Sequence, residues 1–125
     1  MGWAGLQELL TRPDNYDITI LARPSAKNRR KLKPLAGKIK VIWGDLVNYE
    51  DVKKGVTGAD YVLHVGGMVS PQADYRPKAT FRTNITAAEN VTRAILAQPK
   101  EYQPKVVYVG SVAQMGDRRE PLHWG

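Results

Sequence analysis

Four short apolar segments alternate with helix-like segments along the chain, and this alternation constrains the fold more than any other feature. The predicted strands cover residues 17–22, 38–43, 61–65 and 105–109. They are rich in β-branched and aromatic residues, which favour β-strands. Strands that are separated by helices pair in parallel, and the helices cover both faces of the sheet. The pattern therefore predicts an α/β fold with a doubly wound parallel sheet.

Two of the predicted strands carry apolar or β-branched residues at consecutive positions. They contain the runs Ile18-Thr19-Ile20-Leu21 and Val106-Val107-Tyr108-Val109. A strand that helices cover on both faces shows such a run, whereas a half-exposed strand alternates. We therefore expect both strands to be buried.

The segments between the strands carry helix signals. Ser25 and Asn48 are predicted N-caps of helices over residues 26–36 and 50–56. A short helix is predicted over residues 6–11 and the longest one over residues 79–97. In the longest helix, apolar residues recur at helical spacing and predict one buried stripe. The stripe consists of Phe81, Ile85, Ala88, Thr92 and Ile95.

All four predicted strands end in small, polar or charged residues. In a doubly wound sheet, ligands bind beyond the carboxyl ends of the strands. The strand ends therefore predict a ligand site at this edge of the sheet. The residues concerned are Arg23, Gly44-Asp45, Gly66-Gly67 and Gly110-Ser111.

The net charge of +7 comes from 19 basic and 12 acidic residues. The densest basic run, Lys27 to Lys33, is interpreted as a solvated helix face. Nucleic-acid binding is the less favoured interpretation, because the basic residues form no stripe with aromatic residues. A nucleotide phosphate near this run is a third interpretation. We therefore expect no nucleic-acid partner.

The cysteine content, the spacing of the histidines and the lengths of the apolar runs exclude further kinds of site and of protein. The chain has no cysteine, which excludes disulfides and thiolate metal sites. Neither His64 nor His123 has a second ligand residue at metal-binding spacing, so we expect no metal. No apolar run approaches the roughly 18 residues of a membrane span, and the N-terminus lacks a signal-peptide pattern. We therefore expect a cytoplasmic location and no membrane partner.

The run Gly2-Trp3-Ala4-Gly5 is similar to the second half of a glycine-rich dinucleotide loop. Glycines let a helix N-terminus approach a pyrophosphate, whose charge the helix dipole favours. The next strand ends at Arg23, about where the residue that contacts the ribose is expected. An acidic residue there would suit a free 2′-hydroxyl. Arg23 leaves two interpretations open: a 2′-phosphate contact or a solvated arginine.

Five motifs share the order and spacing of one family. They are Gly2-Trp3-Ala4-Gly5, Gly44-Asp45-Leu46, Val62-Leu63-His64-Val65-Gly66-Gly67, the run from Asn84 to Val91, and the run from Val107 to Gly116. The chain resembles the front part of an extended short-chain dehydrogenase/reductase, the NAD(P)-dependent epimerase/dehydratase family. The resemblance implies a partial NAD(P)-binding Rossmann domain over residues 1–125, lacking the first strand and the C-terminal part. The absent strand would lie mid-sheet, so we expect unpaired strand edges beside it.

The same resemblance implies cofactor contacts for five residues near the first strands. Gly2 and Gly5 match the last two glycines of the pyrophosphate loop. Arg23 would lie beside the adenosine ribose, and Asp45 and Leu46 would hold the adenine. The implied cofactor is NAD or NADP, with Arg23 slightly favouring NADP.

Four later residues complete the implied site. Gly66 and Gly67 would run past the phosphate and ribose of the cofactor, and Asn84 matches the helix asparagine near the active site. Ser111 matches the catalytic serine or threonine, which hydrogen-bonds the reacting oxygen and stabilises developing charge.

The catalytic Tyr-x-x-x-Lys of the family is expected beyond Gly125. Tyr49 and Lys53 have this spacing but precede Ser111, so we interpret them as a coincidence. Without the pair there is no general acid/base, so we expect the chain alone to be inactive.

The expected function is that of a fragment of an NAD(P)-dependent epimerase/dehydratase or reductase. Its substrate would be a nucleotide sugar or a related hydroxy or carbonyl compound. The alternative is a non-catalytic dinucleotide-binding sensor or scaffold module. The expected partners are a dinucleotide cofactor and a small-molecule substrate, with a homodimer in the full-length enzyme.

Overall fold

The computed structural model describes residues 2–12 and 16–111. Helices and strands alternate as the sequence predicts. The α-helices are α1 (Gly2–Thr11), α2 (Ala26–Leu32), α3 (Tyr49–Val56), α4 (Pro77–Phe81) and α5 (Ala87–Leu96). The strands are β1 (Thr19–Ala22), β2 (Lys40–Trp43), β3 (Tyr61–His64) and β4 (Lys105–Tyr108). Short 3₁₀ turns cover Lys33–Leu35 and Lys100–Tyr102, and a π-helical turn, Arg82–Thr86, joins α4 to α5.

The two predicted N-caps are confirmed. Ser25 Oγ accepts a hydrogen bond from the Asn28 N–H at 3.1 Å. Asn48 Oδ1 accepts one from the Glu50 N–H at 3.0 Å. Each cap satisfies a backbone donor that the first helical turn leaves unpaired. The start of α1 differs from the prediction, because this helix begins at Gly2 rather than at Leu6.

The strands form two separate parallel pairs. β1 pairs with β2, and β3 pairs with β4. Ala22 lies opposite Trp43 in the first pair, and His64 lies opposite Tyr108 in the second. The predicted parallel α/β fold is confirmed, although the sheet is in two pieces among the described residues.

The helices lie on both faces of these strands. Trp43 of β2 points toward α2, where the Arg29 guanidinium lies 4.6 Å from the centre of its ring. Leu21 of β1 packs on the opposite side, against the buried cluster of α3 and α5. The fold is therefore doubly wound, with α2 on one face and α3 and α5 on the other.

One buried cluster supports both strand pairs. It consists of Val52 and Val56 from α3 and Val91, Ala94 and Ile95 from α5. Leu21 of the first pair and Val62 of the second both pack against it. The two strand pairs therefore pack against the same buried cluster.

The prediction that the first and last strands are buried is wrong. All four residues of β4 are exposed, and β1 has no fully buried residue. Leu63 and Val107, which lie opposite each other, are 51% and 49% exposed. Consecutive apolar residues indicate that a strand can be covered on both faces. The strand is buried only where helices or other strands cover it, and the described residues do not cover both faces of β1 and β4 completely.

The predicted stripe of the longest helix is also wrong. Of its five members only Ile95 is buried, whereas Phe81 is 68% and Ile85 44% exposed. The π turn at Arg82–Thr86 uses more residues per turn than an α-helix, so a stripe that starts at Phe81 is out of phase beyond it. The buried residues of α5 are Ala87, Asn90, Val91, Ala94 and Ile95.

Candidate functional site

The predicted site residues follow the carboxyl ends of the strands. The Gly44 N–H donates to the Ala22 carbonyl at 3.0 Å, which places the end of β2 beside the end of β1. The Val109 N–H donates to the His64 carbonyl at 3.3 Å, which does the same for β4 and β3. Ligands of doubly wound sheets bind at this edge.

Asp51 shapes the turn after β2. Its Oδ2 accepts a hydrogen bond from the Asp45 N–H at 3.1 Å, while Asp45 Oδ1 accepts one from the Val47 N–H at 3.1 Å. Gly44 is required for this arrangement, since a Cβ there would lie 2.5 Å from Asp51 Cγ. The Asp45 carboxylate is therefore held in an Asx turn at the strand end.

Leu46 joins the end of β2 to the end of β3. Its carbonyl accepts a hydrogen bond from Asn90 Nδ2 at 2.9 Å, and Asn90 is only 7% exposed. A Cβ at Gly66 would lie 2.5 Å from Leu46 Cδ1, so glycine allows the loop after β3 to approach this side chain closely. The structure thus brings together two of the predicted cofactor residues.

Asn84 anchors the loop after β3 to the π turn. Its Oδ1 accepts a hydrogen bond from the Met68 N–H at 2.7 Å, and its Nδ2 donates to the Met68 carbonyl at 3.0 Å. A Cβ at Gly67 would lie 3.2 Å from Asn84 Oδ1. The geometry assigns Asn84 the task of holding this loop, and its contact with a cofactor stays a prediction.

The N-terminus of α1 lies beside the same loop. A Cβ at Gly2 would lie 3.2 Å from Val65 Cγ2, directly after β3. The first turn of α1 contains no acidic residue, so its unpaired N–H groups and helix dipole favour an anion. A Cβ at Gly5 would meet no atom within 4 Å. Gly2 is therefore placed with the strand ends, whereas the space beside Gly5 that a Cβ would fill is open among the described residues.

Arg23 is exposed at the end of β1. Its carbonyl accepts hydrogen bonds from the Ser25 N–H and from Asn28 Nδ2, both at 2.8 Å. Two cations of the basic run from Lys27 to Lys33 contact aromatic rings. Arg29 lies over Trp43 at 4.6 Å and Lys31 over Trp3 at 4.1 Å. The start of α2 therefore fixes the backbone at Arg23, and the residue stays exposed to solvent.

Ser111 lies beyond β4 and is exposed. Because β4 runs parallel to β3, Ser111 follows the same edge as Gly66 and Gly67. The end of the last motif, Val112 to Gly116, and His123 lie outside the described residues. The catalytic role of Ser111 stays a prediction.

His64 is a core residue rather than part of a metal cluster. It is 6% exposed, and its ring lies 5.4 Å from the ring of Tyr108. Burial lowers the pKa of His64 below its ordinary value, because the protonated imidazole loses hydration there. Within residues 2–12 and 16–111, no three histidine, cysteine or acidic side chains are grouped as metal ligands.

Sequence reasoning missed three residues that build the site: Asp51, Met68 and Asn90. Asn90 carried a signal, since a polar residue beside Val91 and Ala94 on a buried helix face requires a hydrogen-bond partner. Asp51 and Met68 carried none, because their contacts depend on how separate loops meet. In the part of the chain that the structure describes, none of the helices has the length and apolar character of a membrane span.

A family model described as the NAD dependent epimerase/dehydratase family matches residues 1–123. The UDP-glucose 4-epimerase of Rickettsia bellii (strain RML369-C) is 40% identical over 83 residues, which are 65% of this chain and 24% of that protein. The UDP-glucose 4-epimerase of Rickettsia canadensis (strain McKiel) is 32% identical over 85 residues, which are 66% of this chain and 25% of that protein. The chain thus spans about a quarter of the length of these relatives.

Two solved structures share the fold. Pen from Bacillus thuringiensis superposes with a TM-score of 0.68 at 27% identity, covering 78% of this chain and 30% of that one. The KRED1-Pglu enzyme superposes with a TM-score of 0.69 at 18% identity, covering 90% of this chain and 52% of that one. The match to KRED1-Pglu shows the fold alone.

Proposed function

The chain belongs to the NAD dependent epimerase/dehydratase family, and on this premise we propose that its strand ends form part of a nicotinamide dinucleotide site in an enzyme that acts on a nucleotide sugar. The relatives whose names state a reaction are UDP-glucose 4-epimerases, which supports a nucleotide sugar as the substrate class. The reaction would be an epimerisation, a dehydration or a related oxidoreduction at a hydroxyl or carbonyl carbon.

One observation carries the proposal: the N-terminus of α1 meets the glycine loop after β3. Gly2 approaches Val65, and Gly66 follows directly and contacts Leu46. A helix N-terminus beside two consecutive glycines, Gly66 and Gly67, suits a pyrophosphate, because backbone N–H groups can reach its oxygens. The residues present therefore fit a dinucleotide.

Each residue of the site would have a distinct task. The first N–H groups of α1 would bind the pyrophosphate, and the Asp45 carboxylate, held by its Asx turn, would accept a hydrogen bond from the adenine. Arg23 would contact the adenosine ribose or its 2′-phosphate. Asn84 would keep the loop after β3 in position, and the Ser111 hydroxyl would donate to the reacting oxygen. The nicotinamide, when bound, supplies or accepts the hydride.

We further propose that the 125 residues alone do not catalyse the reaction. No Tyr-x-x-x-Lys follows Ser111 in this sequence, so the general acid/base of the family is not supplied from that position. Binding of the dinucleotide and turnover are therefore separate measurements. Turnover of UDP-glucose by this chain alone would contradict the proposal of inactivity and leave the binding proposal intact.

The binding proposal is tested by titrating the whole chain with NAD⁺ and NADP⁺ in a calorimeter. The Gly66→Val variant must displace Leu46, so its affinity for both dinucleotides should fall at least about tenfold. Gly55→Ala is the matched control, since its Cβ would lie 3.9 Å from Ile42, an ordinary contact. Equal affinity of the Gly66→Val variant and the original chain would contradict the placement of the site.

The cofactor preference is tested at Arg23. If Arg23 contacts a 2′-phosphate, Arg23→Ala should weaken NADP⁺ binding about tenfold and leave NAD⁺ binding nearly unchanged. Arg76→Ala is the matched control, because Arg76 is also an exposed arginine and lies just before α4. An unchanged ratio of the two affinities would show that Arg23 is a solvated arginine without a role in this choice.

A further inference from the structure

A groove between α2 and β2 shares no residue with the candidate dinucleotide site. Its volume is about 320 Å³, and we call it the basic groove. We propose that the basic groove binds an amphipathic anion, namely a carboxylate on an unbranched alkyl chain. This inference rests on the lining and the charge of the groove and does not depend on the proposed function. The lining residues are Arg29, Leu32, Lys33, Ala36, Gly37, Ile39, Val41 and Trp43.

One side of the basic groove is formed by alternate residues along β2. Ile39, Val41 and Trp43 are two positions apart, and alternate residues of a strand point to the same face. All three are half-buried, and Trp43 shows that this is the face that α2 covers. The strand therefore supplies an apolar surface that is four residue steps long.

The opposite side is formed by one face of α2 and the residue after it. Arg29, Leu32 and Lys33 are three and four positions apart, which places them together on a helix surface. Lys33 keeps a helical backbone, with φ −50° and ψ −44°. Leu32 is half-buried, whereas Arg29 and Lys33 are exposed. The helix therefore adds an apolar contact flanked by two cations.

Small residues form the end of the groove between α2 and β2. Ala36 and Gly37 line it there. A Cβ at Gly37 would meet no atom within 4 Å, and its φ of 84° is one that other residues rarely adopt. This end of the groove is therefore open to an elongated ligand among the described residues.

The polar side-chain groups of the groove are all hydrogen-bond donors. They are the guanidinium of Arg29, the ammonium of Lys33 and the indole N–H of Trp43. A sugar or a base in the groove would meet no side-chain acceptor for its own donors, which is costly when they lose water. The lining thus fits a ligand that has acceptors at one end and is otherwise apolar.

The positive charge of the chain is concentrated around this groove. Residues 18–44 contain eight basic residues and no acidic one, whereas the rest of the chain contains 11 basic and all 12 acidic residues. All eight are exposed. They are Arg23, Lys27, Arg29, Arg30, Lys31, Lys33, Lys38 and Lys40. Because a surface of one sign attracts ligands of the other, this region favours an anion.

The two cations that line the groove are not neutralised by carboxylates within the part of the chain that the structure describes. The ion pairs found there are local pairs in or beside α1 and α3. Side chains four positions apart on a helix have Cβ atoms about 5–6 Å apart, so one carboxylate can bridge Arg29 and Lys33. Two charge-assisted hydrogen bonds would then hold the head of the ligand.

The apolar part of the ligand would lie along the strand side of the groove. Four residue steps from Ile39 to Trp43 correspond to about 13 Å at about 3.3 Å per residue. With carbon–carbon bonds of about 1.5 Å, an extended carboxylate of about eight to ten carbons has a similar length. Its chain would contact Leu32, Ile39 and Val41. The volume of the groove also lies at the lower end of the range for small-molecule sites.

The test is a titration of the whole ¹⁵N-labelled chain with sodium octanoate, followed by NMR at concentrations that form no micelles. We expect saturable shifts of the amide signals of Leu32, Ile39 and Val41, with a Kd of about 1 mM for a ligand of this size. The amides of Val52 and Val91 lie on the opposite face of the strands and serve as internal controls.

Two control ligands separate the head from the chain. Octylammonium has the same chain and the opposite charge, and acetate has the same head without the chain. Each should bind at least about tenfold more weakly than octanoate, because one loses the charge-assisted hydrogen bonds and the other the apolar contacts.

A matched pair of variants separates the groove from the general charge of the surface. Lys33→Gln should weaken octanoate binding about tenfold, because the carboxylate loses a charged partner. Lys27→Gln removes the same charge from an exposed lysine of α2 that does not line the groove, and should weaken binding less than about twofold. Both positions are exposed, so neither variant removes a core contact.

Four results would overturn the inference. Equal losses in the two variants would show attraction to the basic surface as a whole. Equal affinity for octylammonium would show that the chain alone is bound. Shifts at Asp45 and Gly66 without shifts at Ile39 would place the anion at the strand ends. The absence of saturable binding up to about 10 mM would exclude a site for this ligand class.

Discussion

The two strand pairs of this protein differ in how well they are covered. Three of four residues in β1 and in β2 are half-buried between α2 on one face and α3 on the other. In β3 only His64 is fully buried, and every residue of β4 is exposed. Both pairs have the same parallel geometry and the same apolar composition. The comparison shows that burial in such a sheet depends on its covering helices, because pairing alone leaves both faces open.

The largest expected difference between the two regions concerns valine truncation. Val52, in the shared buried cluster, is 2% exposed, whereas Val107 in β4 is 49% exposed. Val52→Ala should lower the free energy of unfolding by about 2 kcal/mol, since it leaves a cavity in the core. Val107→Ala should lower it by less than about 1 kcal/mol, because about half of this residue is already exposed to water. Urea denaturation measures both, and equal losses would contradict the comparison.

The next largest effect concerns the hydrogen bond between α5 and the turn after β2. Asn90 of α5 donates to the Leu46 carbonyl, 44 positions away along the chain. Asn90→Ala should cost about 1 to 1.5 kcal/mol, because a partly buried carbonyl loses its hydrogen-bond partner. Asn28→Ala, which removes an exposed bond to the Arg23 carbonyl, is the control and should cost less. A smaller loss of stability at Asn90 than at Asn28 would contradict the expected contribution of the hydrogen bond between α5 and the turn after β2.

The third effect is a dependence of the folding stability on pH, which should arise from His64 in the pair of β3 and β4. Burial lowers the pKa of His64 below the ordinary value of 6.5, so the unfolded chain binds a proton more readily than the folded one. Stability should therefore be unaffected above the ordinary pKa, decrease as the pH falls below it, and level off below the folded-state pKa. Thermal unfolding between neutral and mildly acidic pH measures this slope, and His64→Phe should remove its His64 component. An unchanged slope in that variant would assign the pH dependence to other groups.

The smallest expected effect is a gain in stability outside both strand pairs. Gly5 lies inside α1, and an added Cβ would meet no atom within 4 Å. Gly5→Ala should raise the free energy of unfolding by about 0.5 to 1 kcal/mol, because alanine loses less backbone entropy in a helix. Gly2→Ala is the comparison variant, since its Cβ would lie 3.2 Å from Val65 and should give a smaller gain. A loss of stability at Gly5 would mean that a group packs closely on this position.

Several features could be predicted because their causes are local. The N-caps at Ser25 and Asn48 bond to N–H groups two or three residues away, so a short stretch of sequence contains both partners. The common edge of the strand ends could be predicted because parallel strands bring their carboxyl ends to one edge of the sheet. The buried face of α5 could not be placed, since the π turn at Arg82–Thr86 changes the phase without an evident signal.

The sequence by itself determined the order of helices and strands, their parallel arrangement and the family to which the chain belongs, because periodicity, capping and motif order are properties of neighbouring residues. Only the tertiary structure decided which residues hold the site and which strands are covered. The contacts from Asp51 to Asp45, from Asn84 to Met68 and from Asn90 to Leu46 join separate elements. Such contacts depend on how elements meet in space, which no local pattern encodes.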